Sequence, residues 1–160
     1  MFTDTDVDGY NSTFYVQPPL RSEADRQALL AGVNDGTLAI CSNHQGRDIA
    51  AKKAPFAAAE PGMSILDSWL SMMLTLVQKG ELELEAMINA SAILPAKILA
   101  ISPGIQVGQS ANLVIVDAIT EVCYSAEKLI SVGKNNPVLG QSLVGEVKLT
   151  ISSGREVFRT

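Results

Sequence analysis

The stretch SEADRQALLAGVNDGTLAIC, residues 22–41, indicates the fold class because it joins a helix to a short apolar strand. The helix begins after Ser22, a preferred N-cap residue, and Asp25 stands at the capping-box position. Asn34-Asp35-Gly36 ends the helix, since glycine readily adopts the left-handed conformation there. Residues 37–41 form a continuous apolar run, typical of a strand covered on both faces. A helix followed by such a strand is half of an α/β unit.

The segments on either side of this unit are less regular. Residues 1–21 contain turn formers and the Pro18-Pro19 pair, which blocks a helix. Residues 42–62 form a long loop, which is polar at first and then rich in alanine. Loops of this length inside a compact domain are usually functional or mobile. We therefore expect residues 42–62 to be functional or partly mobile.

Two helical regions follow the loop. Residues 64–79 predict a helix that Ser64 caps, with an apolar arc wide enough to be covered on more than one side. Residues 82–101 predict one or two further helices, which break or start at Pro95. The helical region ends before Pro103.

From Pro103 onward, glycines separate short runs that are rich in valine and isoleucine, so the pattern predicts strands. The predicted strands are residues 113–116, 146–151 and 156–158. Ser153-Gly154 predicts a hairpin turn between the last two strands. The chain is thus expected to have an α/β part, residues 1–101, and a β-rich part, residues 102–160.

Composition restricts the possible partners. The 160 residues are 47% hydrophobic and carry a net charge of -5, without a basic stripe that could bind nucleic acid or an anionic membrane. No apolar run is long enough to span a bilayer, and the acidic start does not resemble a signal peptide. We therefore expect a cytoplasmic protein in which Cys41 and Cys123, both in apolar segments, are buried reduced thiols.

The chain resembles the dihydroorotases of the amidohydrolase superfamily over nearly its whole length, in an ordered series of short segments. These segments are Pro18-Pro19-Leu20-Arg21, Ile40-Cys41-Ser42-Asn43-His44-Gln45, Ala54-Pro55-Phe56, Glu60-Pro61-Gly62, residues 95–99, residues 104–113, Gly133-Lys134-Asn135-Asn136-Pro137 and residues 145–154. No single segment is specific, but the ordered set is. Within the family, the segments are most similar to non-catalytic dihydroorotase-like proteins of proteobacteria.

The resemblance implies a fold and its limits. Family members are more than twice as long as this chain and contain a (β/α)8 barrel of the metal-dependent hydrolases. The matching segments imply an α/β fold: the C-terminal part of that barrel, plus β-strands of a composite sandwich. The barrel strand at residues 37–41 and the sandwich strands would then lack neighbours, so we expect a homo-oligomer or a hetero-complex.

The resemblance also implies which residues stand at the family's site. The catalytic aspartate of the family falls on Asn43, and an amide cannot act as a general base. A substrate-binding remnant is expected at Gln17, Arg47, Pro61 and Gly62, so that a pocket wall is kept without the reaction. The family uses zinc, which needs three or four ligands. This chain has one histidine and no His-x-His, so we expect no metal site and no cofactor.

Other polar residues have structural alternatives. His44 is either a remnant of the site or a histidine whose ring is satisfied by local hydrogen bonds, and the second interpretation is favoured. Arg47 and Asp48 are expected to form a solvated loop pair. Asp4, Asp6 and Asp8 begin like a calcium loop, but they lack the glycine and the glutamate that should follow.

Taken from the resemblance, the favoured function is that of a dihydroorotase-like protein of pyrimidine biosynthesis, either a non-catalytic scaffold or a truncated relic. The resemblance implies aspartate transcarbamoylase as its partner. The alternative is a fragment of an active dihydroorotase or related cyclic amidohydrolase, whose metal ligands lie on another segment. Such enzymes hydrolyse a cyclic amide C–N bond with a metal-activated water.

Overall fold

A computed structural model describes residues 1–102 and 104–160, and Pro103, where the β-rich part was expected to begin, lies outside the described residues. The helices are α1 (Glu23–Asn34), α2 (Ile49–Lys53), α3 (Trp69–Gln78), α4 (Leu84–Ile88) and α5 (Leu94–Ile98). The strands are β1 (Leu113–Cys123), β2 (Ser142–Ser152) and β3 (Arg155–Arg159). Short 3-10 turns lie at Asp4–Val7, Ser12–Phe14 and Phe56–Ala58. The helices precede the strands along the described chain, in the order that the sequence pattern predicts for these elements.

Helix α1 forms as its capping residues predict. The hydroxyl of Ser22 accepts a hydrogen bond from the backbone N–H of Asp25 at 3.2 Å and donates to the Asp25 carboxylate at 2.8 Å. The helix ends at Asn34, and Gly36 follows with a φ of 80°. Val33 is the buried residue of α1, and it belongs to the core cluster described next.

Helix α3 joins two hydrophobic clusters. One cluster contains Val33, Leu74, Leu76, Leu82, Met87 and Ala90 and lies against α1 and α4. The other contains Met72, Val138 and Leu143 and lies against the β-rich part. Leu74 and Met72 are on different sides of α3, which explains the wide apolar arc of its sequence. Because α3 packs on both parts, it fixes the helical part against strand β2.

The start of α3 corrects the sequence prediction. The helix begins at Trp69, so Ser64 is not its N-cap. The backbone N–H of Ser64 donates to the carbonyl of Asn135 at 3.1 Å, and the Ser64 side chain is fully buried. Pairing with the distant Asn135 holds residue 64 outside the helix, and this long-range contact is not visible in a local pattern.

The predicted strand at residues 37–41 is also corrected. The segment belongs to no sheet, although the N–H of Ile40 donates to the carbonyl of Ala90 at 2.9 Å. Within residues 1–102 and 104–160, the strands form one sheet, β1-β2-β3, and it does not include this segment. A strand needs a neighbouring strand for its hydrogen bonds, and the described residues do not supply one here.

The β-rich part is a three-stranded antiparallel sheet in the order β1-β2-β3. The pairing of β1 with β2 runs from the Leu113–Ile151 pair to the Cys123–Ser142 pair, with irregularities after Ile115 and after Asp117. Ser153 and Gly154 form the predicted hairpin turn, and both have positive φ values, 50° and 78°. The predicted strands 113–116 and 146–151 extend further than their apolar runs.

Three smaller findings complete the fold. Residues 82–101 contain α4, a π-helical turn at Asn89–Ile93 and α5, with Pro95 in the first turn of α5. Cys41 and Cys123 are free but exposed, so the expectation of buried thiols was wrong. Among the described residues, no helix combines the length and apolar character that crossing a membrane requires.

Candidate functional site

Two loops lie side by side and form the candidate site. His44 forms an isolated parallel bridge with Met63, and the N–H of Gln45 donates to the Met63 carbonyl at 2.8 Å. The N–H of Gly62 donates to the carbonyl of Tyr15 at 2.9 Å, which ties the second loop to the N-terminal segment. We call residues 43–47 the first loop and residues 60–64 the second loop.

Asn43 and Gln17, expected from the resemblance to share the site, are in contact. The Asn43 side-chain amide donates to the backbone carbonyl of Gln17 at 3.1 Å. Its Oδ1 atom accepts from Nε2 of Gln45 at 3.4 Å. Asn43 has a φ of 46°, a left-handed conformation that asparagine tolerates better than most residues. Both polar atoms of the Asn43 side chain therefore have partners within the chain.

Arg47 lies between the two loops and faces Glu60. Its Nε atom donates to the carbonyl of Pro61 at 2.8 Å, and its guanidinium is 3.1 Å from the Glu60 carboxylate. The expected pair with Asp48 is therefore wrong, since Arg47 turns toward the second loop. The Arg47 side chain is 34% exposed, so a carboxylate in solution can still reach it.

Gly62 allows the two loops to approach each other. Its φ is 138°, outside the range of side chains with a Cβ atom. A Cβ atom at Gly62 would lie 2.8 Å from the carbonyl oxygen of Gln45 and 3.2 Å from Nε of Arg47. Only the resemblance assigned Gly62 a role in advance, whereas the structure shows a steric reason for glycine at this position.

His44 is held by the backbone of the following segment. Its Nδ1 atom accepts from the N–H of Leu66 at 3.1 Å, which places the ring proton of the neutral form on Nε2. This geometry agrees with the interpretation of His44 as a histidine satisfied by local hydrogen bonds. His44 also lines the cleft between the loops.

The site does not fit the zinc that the family uses. Within residues 1–102 and 104–160, no three His, Cys, Asp or Glu side chains lie close enough together to hold a metal ion. The one histidine of the chain uses Nδ1 as the acceptor of a backbone N–H. Zinc in proteins requires at least three protein ligands, and the described residues do not bring such a set together.

A cleft of about 390 Å³ opens beside Arg47. It is lined by His44, Gly46, Arg47, Asp48, Ala51, Glu60, Ser131, Val132 and Gly133. The last three residues come from the β-rich part, so both parts of the chain form this cleft. Arg47 and Glu60 are its charged pair, and a negatively charged ligand would have to compete with Glu60 for Arg47.

Two buried residues that support the loops were missed by sequence reasoning. Lys52 is buried, and its Nζ atom donates to the carbonyls of Tyr15 at 3.2 Å and Glu60 at 3.0 Å. Burial, together with the nearby charge of Arg47, lowers the pKa of Lys52. Nothing in the local pattern of α2 distinguishes it from the adjacent Lys53.

Asn135 is the second missed residue. Its side chain accepts from the N–H of Arg47 at 2.8 Å and donates to the carbonyl of Gly62 at 3.0 Å. Asn135 belongs to a segment of the resemblance, but that resemblance gave it no role.

Comparison with known proteins shows which proteins this chain is similar to. No family model matches the chain. A dihydroorotase-like protein of Pseudomonas aeruginosa is 40% identical over 156 residues, which are 96% of this chain and 37% of that protein. A dihydroorotase of Thermoanaerobacter sp. is 41% identical over 154 residues, which are 95% of this chain and 36% of that protein. The chain is a relative of the dihydroorotases. The resemblance seen in the ordered segments is thereby confirmed.

The fold is shared with part of the hydantoinases. The L-hydantoinase (dihydropyrimidinase) of Arthrobacter aurescens matches with a TM-score of 0.89 and 30% identity, over 99% of this chain and 37% of that one. A D-hydantoinase of a Bacillus sp. matches with a TM-score of 0.78 and 24% identity, over 92% of this chain and 34% of that one. The chain thus has a mixed helix-and-sheet fold, which it shares with part of these hydantoinases of the amidohydrolase superfamily. It spans little more than a third of the length of the relatives it matches.

Proposed function

We propose that this chain is a non-catalytic dihydroorotase-like protein of pyrimidine biosynthesis. The observation that carries the proposal is the hydrogen bond from the Asn43 amide to the carbonyl of Gln17, at 3.1 Å. Asn43 stands where the resemblance places the catalytic aspartate. An ionised aspartate only accepts hydrogen bonds, so it could not make this contact. The local structure is therefore built around an amide at the position where the reaction needs a base.

The other residues of the candidate site are compatible with a pocket wall that still binds a ligand. Arg47 carries a positive charge that suits a carboxylate, and Gly62 keeps the second loop close to it. The Glu60 carboxylate forms an ion pair with Arg47, but a solvent-exposed ion pair contributes only about 0–1 kcal/mol to stability. A ligand carboxylate could displace Glu60 at small cost. Binding without turnover is thus compatible with this arrangement.

Turnover of dihydroorotate tests the proposal. The chain is purified from a host that lacks its own dihydroorotase and is assayed in both directions with added zinc. We expect no reaction above the buffer, because Asn43 is not a base and the described residues do not form a metal site. Asn43→Asp alone should also be inactive, since it adds no metal ligand.

The matched control separates real turnover from contamination. Asn89 lies on the π-helical turn, away from both loops, and Asn89→Ala changes an asparagine outside the site. Turnover that is lost in Asn43→Ala and kept in Asn89→Ala would overturn the proposal.

The length of the relatives favours a second candidate function. The chain spans 36–38% of the curated proteins it matches, several of which bear the name dihydroorotase. A segment that supplies the metal ligands would make this chain part of a working cyclic amidohydrolase. Co-expression with the N-terminal two-thirds of a dihydroorotase relative in a dihydroorotase-deficient strain tests this. Growth without pyrimidines that depends on both segments would support the second candidate over the first.

The proposed partner is aspartate transcarbamoylase, and the resemblance alone supports it. Under this proposal the chain acts as a cytoplasmic scaffold, and the partner covers exposed apolar side chains such as Ile105 and Val107. Size-exclusion chromatography with light scattering, run with and without the transcarbamoylase, tests the association. A co-eluting complex of defined mass is expected. Separate elution at micromolar concentrations would contradict the partner but leave the catalytic proposal standing.

A further inference from the structure

We infer that Asn135, in the β-rich part, is a positioning residue that sets the spacing of the two site loops and thereby the place of Arg47. Its meaning for ligand binding rests on the proposed function, whereas the positioning itself does not. Asn135 is 9% exposed and lies 73 to 90 residues from its partners in the sequence. Asn135 therefore contacts the site loops from a segment that is distant from them in the sequence.

The Asn135 side chain uses both of its polar ends and bonds to both loops. Its Oδ1 atom accepts from the backbone N–H of Arg47 at 2.8 Å. Its Nδ2 atom donates to the carbonyl of Gln45 at 3.3 Å and to the carbonyl of Gly62 at 3.0 Å. The first loop is bonded through two residues and the second through Gly62. One side chain thus bridges the loops on which Arg47 and Gly62 lie.

The backbone around Asn135 adds two further links. Its carbonyl accepts from the N–H of Ser64 at 3.1 Å, which holds the end of the second loop. A Cβ atom at Gly133 would lie 2.5 Å from Cα of Gly46 and 2.8 Å from the backbone nitrogen of Arg47. These neighbours are backbone atoms, which cannot move aside as the end of a flexible side chain can. Gly133 is therefore needed for the segment to reach the first loop.

The consequence concerns the guanidinium of Arg47. Its backbone is fixed by Asn135, and its Nε atom donates to Pro61, which precedes the Gly62 that Asn135 also holds. Residues 131–133 meanwhile form one wall of the cleft. The β-rich part thus determines both the width of the cleft and the direction of its positive charge.

Amide hydrogen exchange measured by NMR on the full chain tests the inference. Asn135→Ala removes both hydrogen-bonding ends, so we expect exchange at the Arg47 amide to rise about ten-fold and the Arg47 Nε–H resonance to shift. Asn135→Asp keeps the acceptor and removes the donor. In this variant the Arg47 amide should stay protected, while the Gln45 amide exchanges faster as the second loop moves away.

The matched control is Asn112→Ala, since the Asn112 side chain also accepts a backbone N–H, that of Ser153, at 3.0 Å, far from the site. It should leave the Arg47 signals unchanged. Unchanged Arg47 signals in Asn135→Ala would overturn the inference, and so would a parallel loss of protection throughout the sheet. If Asn135→Ala does not fold, the split between Arg47 and Gln45 in Asn135→Asp decides. Dihydroorotate turnover by the unaltered chain would sink the proposed function without affecting this result.

Discussion

At the scale of single residues, Gly62 shows how backbone geometry limits the site. Gly62→Ala combines an unfavourable φ of 138° with a Cβ atom 2.8 Å from the carbonyl oxygen of Gln45. We expect it to lower the free energy of unfolding by about 2 kcal/mol or more, because strain and a backbone clash add. Urea denaturation measures the change.

Gly9→Ala is the control for that substitution. Gly9 has a φ of 74°, and a Cβ atom there would meet nothing within 4 Å. Its cost should be about 1 kcal/mol, that of the left-handed conformation alone. Equal losses in the two variants would show that the loops do not constrain Gly62.

Lys52 predicts a dependence of stability on pH. Its pKa is lowered from the ordinary value of 10.5 by burial, so the folded state releases this proton at a lower pH than the unfolded state does. Between the lowered pKa and 10.5, the unfolded state holds more protons, and stability therefore rises with pH. Below the lowered pKa, the penalty is complete and constant.

The measurement compares the unaltered chain with Lys52→Met by urea denaturation from pH 7 upward. The unaltered chain should gain stability relative to the variant as the pH approaches 10.5. For Lys79→Met, at an exposed lysine after α3, the free energy of unfolding should change with pH as it does in the unaltered chain. If the stability of Lys52→Met changed with pH as that of the unaltered chain does, burial would not be penalising the charge of Lys52.

Sequence reasoning identified the site residues that a family motif marks and missed those defined by long-range contacts. The ordered segments named Asn43 and Gln17, which are in contact, and Gly62, which lies against Arg47, whereas their role in a site stays a prediction. Lys52 and Asn135 were missed, since their roles depend on carbonyls and amides that are distant in sequence. The Arg47–Asp48 pair failed because adjacency in sequence says little about which carboxylate a long side chain reaches.

At the scale of elements, α1 offers a test of local capping. Ser22 accepts the N–H of Asp25 at the start of α1, and Ser22→Ala should cost about 1 kcal/mol of stability. Ser110→Ala, in an exposed loop, should change stability by less than about 0.5 kcal/mol. A loss of stability in Ser22→Ala no greater than that in Ser110→Ala would mean that the Ser22 cap does not contribute to the stability of α1.

The elements that sequence predicted well are those with local signals. Helix α1 has a cap and a glycine stop, and the β2–β3 hairpin has its Ser153-Gly154 turn. The segment at residues 37–41 has the apolar run of a buried strand but no neighbour to pair with. An apolar run indicates that a segment prefers burial. A strand also needs a neighbouring strand to pair with, and the described residues do not provide one for residues 37–41.

At the scale of the whole molecule, a band of apolar residues faces solvent around α5 and the segment that follows. Ile98, Leu99, Ile101, Ile105 and Val107 are all exposed, and Ile105 is 85% exposed. Apolar patches of this kind mark interaction surfaces or association. We expect the isolated chain to associate or to bind a hydrophobic dye, in agreement with the expected homo-oligomer or hetero-complex.

Charged substitutions test this surface. The double variant Ile105→Asp and Val107→Asp should reduce dye fluorescence and shift the mass measured by light scattering toward a single chain. Gln106→Asp adds charge to the same segment without removing apolar surface, and it should have a smaller effect. A monodisperse monomer without dye binding in the unaltered chain would show that the patch does not drive association.

Zinc content tests the central claim most directly, since the claim is that these residues keep a cleft of the dihydroorotase site without its metal. The purified chain is loaded with zinc, passed through a desalting column and measured by elemental analysis. We predict well below one zinc per chain, because the Nδ1 atom of the single histidine already accepts the N–H of Leu66 and the described residues do not form a group of three ligands. One tightly held zinc per chain, lost in His44→Ala or Cys41→Ser, would contradict the account.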